Sequence, residues 1–323
     1  MRFTRAGRAS LAAAGLVVAL AAAACSGSPA PAAPHLEKTS IIVGALPIVD
    51  TAGLYLAQQQ GYFRQAGLNV TIAPITASPQ AIPLMESGKV DIVAGANYVS
   101  FFQAQAAGAQ FKLLVDGTAC TPDSFEVLVG AGSRILTPAD LAGKRIAVNV
   151  LGNIQTLLTD ATLQADGVNS STVRYVRVPF PEMARALAKG KVDAISAVEP
   201  FITSAELSIS ASPVMSTCTG VTASFPMSGY FSTRKWAQTY PDTARAFQVA
   251  MARGQALANT SRPAAEGILP TYITNLTPTE AAVVNFGQFP TSVNATHLDR
   301  VVSLMVTGGL LSPQFSVQPL LFH

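Results

Sequence analysis

The sequence predicts an α/β protein of two lobes, each a mostly parallel sheet flanked by helices, joined by two crossover strands. Three observations predict it. The tetrapeptide Gly88-Lys89-Val90-Asp91 returns 102 residues later as Gly190-Lys191-Val192-Asp193. A longer pattern survives the same shift, in which Pro79 answers to Pro181, Met85 to Leu187, Ile92 to Ala194 and Ala96 to Val198. Each copy reads as a proline-started amphipathic helix, a glycine stop and a short buried strand, the helix-to-strand step of a parallel sheet. Two copies so spaced fit two lobes built alike rather than one solenoid.

A length of 323 residues has room for about two domains. Hydrophobic content of 49% with 12% charged residues excludes a disordered chain and a nucleic-acid binder. There are 21 Lys and Arg against 18 Asp and Glu. Arg2, Arg5 and Arg8 lie in a segment expected to be removed, which leaves 18 against 18. Nothing then steers the chain toward polyanions.

In chain order, residues 1–24 hold three arginines and an apolar run from Leu11 to Ala24. As a helix that run spans about 21 Å, short of the ~30 Å hydrocarbon core, so it reads as a signal peptide. Residues 25–37 read as a linker, with Ser26–Pro34 built of Pro, Ala, Ser and Gly. The folded body opens with a strand at Ser40–Leu46. A helix capped by Thr51 follows and stops near Gly61, and then a strand at Asn69–Ile75. The first repeat copy comes next, then a helix over Asn97–Ala107 and a strand at Phe111–Val115. This βαβαβαβ order calls for a mostly parallel sheet with helices on both faces.

Phe125–Val129 reads as a strand, and Thr137-Pro138 opens a short helix. The pattern then restarts with a strand at Arg145–Val150, a helix over Asn153–Gln164, a strand at Val173–Val178, the second copy and a helix from Glu199. Pro213–Thr217 and Gly229–Thr233 read as extended. Helices are expected around Asp242–Leu257, Pro278–Asn285 and His297–Thr307. They have no counterpart in the second lobe and should pack on the first. The first lobe is therefore expected at 38–128 plus 222–323 and the second at 129–221, with Phe125–Val129 and Thr217–Pro226 as the connecting hinge strands.

Several segments carry a family resemblance. Leu54-Tyr55-Leu56-Ala57, Gly61-Tyr62-Phe63 and Gly67-Leu68-Asn69-Val70 resemble the opening motif of the substrate-binding proteins of ABC importers for sulfonates, nitrate, taurine and thiamine-pyrimidine precursors. Phe125–Val129, Leu141–Val148, and Ala186-Leu187 through Val192-Asp193-Ala194 with Glu199-Pro200-Phe201 resemble it again. The resemblance covers about 40–235 and rests on the order and spacing of these motifs. It implies a two-lobed periplasmic-binding fold that closes on one small molecule. It also implies a permease and its ATPase as partners of a monomeric receptor. Ala22-Ala23-Ala24-Cys25 resembles the bacterial lipobox, with Ala22 where leucine is usual. It implies a lipidated Cys25 and an extracytoplasmic protein anchored to the cell membrane.

The residues point to a site by a separate route. In open parallel sheets, ligands sit outside the carboxyl ends of the strands. Four strand-to-helix junctions lie there, at Pro47–Thr51, Gly95–Tyr98, Leu151–Gln155 and Val198–Phe201, each offering unpaired backbone N–H groups. Their candidate ligand residues are Asp50, Thr51, Asn97, Tyr98, Asn153, Gln155 and Glu199. Tyr55, Tyr98 and Phe201 are candidates to stack on a ring, and Tyr230 is a candidate near the second crossover. The competing reading makes each polar residue a helix cap, each aromatic a core residue, and Glu199 a lobe-to-lobe contact. No Lys or Arg occurs at these junctions, whereas Asp50 and Glu199 do. That favours a neutral or cationic heterocycle, such as a thiamine-type pyrimidine. Helix N-termini can hold an anion unaided, so a sulfonate or nitrate stays open.

Cys120 and Cys218 would lie in an oxidising compartment just outside the expected crossovers, so a disulfide stapling the hinge is expected, against two buried thiols. No catalytic residue, metal site or cofactor is expected. His35, His297 and His323 fall in the tether, a late helix and the terminus, and the chain carries no nucleophile elbow or phosphate-cradling Gly-rich loop. The alternatives are a ligand-sensing module for a membrane partner and an enzyme related to thiamine-pyrimidine synthases.

Overall fold

Ten strands fall into two five-stranded sheets in the computed structural model, which describes residues 35–322. The segment expected to be a signal peptide, most of the expected linker and Cys25 lie outside the described residues. The first run of chain gives β1 (Ser40–Ala45), α1 (Ala52–Gln59), α2 (Tyr62–Gln65), β2 (Asn69–Pro74), α3 (Ser78–Glu86), β3 (Ile92–Asn97), α4 (Tyr98–Ala106) and β4 (Phe111–Asp116). After a crossing segment, β5 (Phe125–Val129) leads to β6 (Arg145–Val148), α5 (Ile154–Ala165), β7 (Arg174–Arg177), α6 (Met183–Ala188), β8 (Ala194–Val198), α7 (Phe201–Ile209) and β9 (Ser212–Ser216). The chain then returns as β10 (Ser228–Thr233). It ends in α8 (Arg234–Thr239), α9 (Pro241–Thr260), α10 (Arg262–Ile268), α11 (Pro278–Ala281) and α12 (Ala295–Thr307).

The first sheet runs β2-β1-β3-β10-β4 and the second β7-β6-β8-β5-β9. All pairings are parallel except those of β10 and β5, which run antiparallel to both neighbours. The exceptions follow from how the chain travels. β4 ends at the carboxyl edge of its sheet, and the chain crosses there to the same edge of the other sheet. The entering strand has to run back against the rest. β9 and β10 repeat the move in reverse.

The repeated tetrapeptide has a physical job. Gly88 and Gly190 sit at φ +71° and +64°, the left-handed geometry that stops a helix, and both positions are open enough that conformation alone selects glycine. Three residues on, the aspartates clasp the neighbouring strand. An Asp91 carboxylate oxygen accepts the Ile42 N–H at 2.8 Å, and Asp193 accepts the Arg145 N–H at 2.8 Å. Each is also paired with a cation, Lys38 and Arg145 respectively.

Four readings need correction. Phe125–Val129 is not a hinge strand but an interior strand of the second sheet, bonded to β8 and β9. The crossing segments are 117–124 and 217–227. The helix expected at Pro278–Asn285 is one turn, α11, because the chain past Ala281 turns to run beside the first crossing segment, where Gln288 bridges Ala119. The linker ends earlier than residue 37. Glu37 accepts the N–H groups of Asp242 and Thr243 and so caps α9, and Leu36 packs beside Gly67. Of the late helices, α8, α9 and α10 pack on the first sheet's side, above all α9 against α1. There a methyl on Gly254 would come within 2.2 Å of the Gly53 carbonyl. By contrast α12, expected on the first lobe alone, buries Leu298, Val301 and Met305 against both α4 and α5 and so touches both lobes.

Candidate functional site

The carboxyl edges of the two sheets face one another across a closed cleft that keeps a cavity of about 50 Å³. Leu46, Ile48 and Asp50 reach it from the chain after β1. Ser78 comes from the first turn of α3, Gly95 and Asn97 from the end of β3, Met227 from the end of the second crossing segment and Ser228 from the start of β10. The second lobe contributes Asn149, Val150, Asn153, Ile154 and Gln155 after β6, Phe180 after β7 and Val198 at the end of β8. All four predicted junctions therefore meet here. None of the lining residues is Lys or Arg.

Asp50 is the single charged group on this wall. One of its carboxylate oxygens accepts the hydroxyls of Thr118 at 2.6 Å and Ser228 at 3.2 Å. The other has no hydrogen-bond partner among the described residues. Burial raises its pKa, against the lowering effect of the two hydroxyls.

Asn97 and Asn153 line the cavity and cap the helices that start there. Their amide oxygens accept the N–H of Ser100 at 2.9 Å and of Gln155 at 3.1 Å. That use leaves each side-chain NH₂ free of partners among the described residues. Gln155 borders the same space, but both ends of its amide are spent. It accepts from the Asn149 N–H at 2.7 Å and donates to the Ser196 carbonyl, fastening β6 to β8. Asn149 crosses the cleft to donate to the Thr76 carbonyl at 3.4 Å.

The other candidates sit elsewhere. Thr51 is fully buried and donates to the carbonyls of Leu46 and Ile48, bracing the turn that carries Asp50. Tyr98 is buried in the first lobe with its hydroxyl on Asp116, because the first helical residue after Asn97 faces the sheet. Tyr230 is likewise core, its hydroxyl buried without a hydrogen-bond partner among the described residues. Tyr55 stacks on Tyr272 at 3.7 Å and 3°. Phe201 stacks on Phe180 at 5.1 Å, and of that pair Phe180 is the one that lines the cavity.

Glu199 is 2% exposed and does not line the cavity. Its carboxylate takes the N–H and hydroxyl of Thr203 on its own helix, and also the Asn285 N–H of the first lobe at 3.0 Å. Burial carries its pKa up to about 7 against the lowering effect of those bonds.

Cys120 and Cys218 are joined, with Cα atoms 5.9 Å apart, and the bond ties one crossing segment to the other. Among the described residues no group of three or more His, Cys, Asp or Glu stands ready to hold a metal ion.

Ser78, Asn149, Phe180, Ser228 and Thr118 were missed. Ser78 and Phe180 carried a signal, since the 102-residue shift superposes them just before Pro79 and Pro181. Thr118 and Ser228 lie where the crossing segments meet the first sheet, a place defined by topology and not by any local pattern.

Two sheets of this order, swapping one antiparallel strand and closing on a cavity between their carboxyl edges, define the fold of the periplasmic solute-binding proteins. The chain is similar to the alkanesulfonate-binding protein of Xanthomonas axonopodis pv. citri, solved with MOPS bound. The TM-score is 0.76 at 22% identity, covering 89% of this chain and 99% of that one. It is similar also to the periplasmic aliphatic sulphonate-binding protein of Escherichia coli, with a TM-score of 0.71, 19% identity and 88% and 98% coverage. The nitrate-binding protein of Synechocystis aligns with a TM-score of 0.71 at 12% identity over 86% and 84%. The chain belongs to the NMT1/THI5-like family, whose model matches residues 48–264. A Haemophilus influenzae protein named for thiamine biosynthesis is 31% identical over 161 residues, and the match spans about half the length of each chain, 49%.

Proposed function

We propose that this protein is the extracytoplasmic receptor of an ABC importer, held to the cell membrane through Cys25. In this reading it captures a small, neutral or cationic nitrogen heterocycle between its lobes and delivers it to a permease. The observation that carries this reading is the wall of the cavity, with one carboxylate oxygen of Asp50 unspent, two capping asparagines with free NH₂ groups, Phe180 alongside, and no cation to receive an anion. An aminopyrimidine offers the matching chemistry of N–H donors for Asp50, ring acceptors for the asparagines and a flat face for Phe180. The relative named for thiamine biosynthesis supports the same class.

A cavity of about 50 Å³ holds roughly three or four waters and not a substituted ring. Uptake therefore requires the lobes to part and close again, with the solute bridging them. The structural neighbours named as binding proteins support a receptor rather than an enzyme. A second reading, a sulfonate or nitrate, is favoured by one feature. The N-termini of α4 and α5, behind Asn97 and Asn153, both open on the cavity. Calorimetry of the mature protein with an aminopyrimidine, MOPS and nitrate separates the two. Binding of the pyrimidine alone is expected, and tight binding of the anions alone would overturn the reading.

A further inference from the structure

Glu199 was a candidate for the ligand wall, yet its bonds lead elsewhere. Its carboxylate lies in the second lobe, at the start of α7, and accepts the Asn285 N–H from the first lobe at 3.0 Å. Its backbone carbonyl accepts a second N–H from the first lobe, that of Val49, at 3.4 Å. Asn285 is not a loose partner. Arg262 grips the carbonyls of Ala282 and Val284 just before it, and Thr121 of the first crossing segment holds the Phe286 carbonyl just after it. Val284 and Val49 are buried in one cluster with Ala52 and Leu56 of α1, so both donors belong to one braced wall.

We propose that Glu199 is the lobe-to-lobe latch of the closed form, a positioning residue that sets how readily the cleft opens and makes no contact with the solute. The assignment rests on the hinge-closing reading above, but its test needs no solute, so the two can fail separately. The geometry has a useful asymmetry. Substituting the side chain removes the bond to Asn285 directly, while the bond from Val49 ends on a backbone carbonyl and survives any substitution. Val49 therefore reports separation of the lobes at this point and not the loss of the Glu199 side chain itself.

The groups facing Glu199 explain why a carboxylate can serve here. The two N–H groups and the Thr203 hydroxyl converge on it. Its acidic neighbours are Glu206, two turns along the same helix, and Glu126 on β5. A buried carboxylate with three donors aimed at it is held in place, whereas an exposed one would be screened.

The experiment is residue-resolved amide exchange on the solute-free protein, with wild type, E199A and the gentler E199D. The last keeps the charge but stops one methylene short of Asn285. Expected are at least tenfold faster exchange at both Asn285 and Val49 in E199A, the same direction in E199D, and a larger radius of gyration by small-angle scattering. If Glu199 were merely the cap of α7, Thr203 would exchange faster while Val49 kept its wild-type protection, and that overturns the proposal. Should E199A fail to fold, E199D decides alone by the same Val49 readout. Loss of solute binding in wild type would leave the latch standing and remove the receptor.

Discussion

Replacing Asp50 with asparagine tests the site more sharply than any other change. The substitution keeps the shape, and the new amide oxygen can still accept the hydroxyls of Thr118 and Ser228, which now reach the carboxylate at 2.6 and 3.2 Å. It removes the negative charge and replaces one acceptor with a donor NH₂. A hydrogen bond to a charged group contributes about 1.5–3 kcal/mol, so a solute donating to Asp50 should bind the variant about 10- to 150-fold more weakly. The buried charge also costs desolvation, which is why the Asp50 carboxyl is raised in pKa. D50N should consequently melt no lower than wild type at pH 7. Isothermal titration with an aminopyrimidine measures the first effect and thermal denaturation the second. Equal affinity of the two proteins for the pyrimidine would refute the reasoning. So would tighter binding of MOPS than of the pyrimidine by the wild type.

Other expectations follow from separate parts of the molecule. Exchanging Cys120 and Cys218 together for serine opens a loop of 98 residues. By the chain-entropy account this should cost about 4–5 kcal/mol, read from urea midpoints with and without reductant, and an unchanged midpoint would count against it. Gly254→Ala pushes a methyl into the Gly53 carbonyl at 2.2 Å. It should lower stability by about 1–3 kcal/mol or force α9 off α1, and a variant as stable as wild type would show that the helices have room. Glu126 is buried on β5, and its carboxyl is raised to about 7 by burial first and then by Asp123, Glu206 and Glu199. Its folded pKa lies above the unfolded one, so the associated stability is full below about pH 4.5 and is lost as pH rises through 7. E126Q should match wild type at pH 4 and exceed it by about 1–2 kcal/mol at pH 8.5, a figure reduced for solvent screening. A difference independent of pH would reject that account.

Much of the fold could be read in advance because its signals are local. Gly88 and Gly190 stop helices through their own backbone geometry, and Asp91 and Asp193 start strands by clasping the neighbour, so the repeated tetrapeptide appears wherever that step is built. The junctions were readable for the same reason, and Asp50, Asn97 and Asn153 do meet at one cavity. What stayed hidden is set at long range. Whether Phe125–Val129 links the sheets or enters one depends on which edge the chain crosses, and no residue in the segment states it. Tyr98 and Tyr230 looked like ring-stacking candidates by position, yet alternation along the chain turns them into the core. Gln155 shows the same limit. Its amide is consumed by Asn149 and Ser196, partners six and forty-one residues away.

The two copies of the repeat make the division of labour plain. Asn97 and Glu199 occupy equivalent places, each just past a buried strand and just before a helix, and each turns its side chain to the helix start, toward Ser100 in one lobe and Thr203 in the other. Asn97 is short and neutral, so once its oxygen has served the cap its NH₂ remains at the cavity. Glu199 is one methylene longer and has two equivalent oxygens, so it caps its helix and still reaches the other lobe at Asn285. Both crossing segments enter at this same edge and are tied together by Cys120 and Cys218. Rotation about them therefore opens the cavity itself rather than sliding one sheet past the other. In the receptor proposed above, a position that faces solute in the first lobe is thereby free, in the second, to govern how long the solute stays.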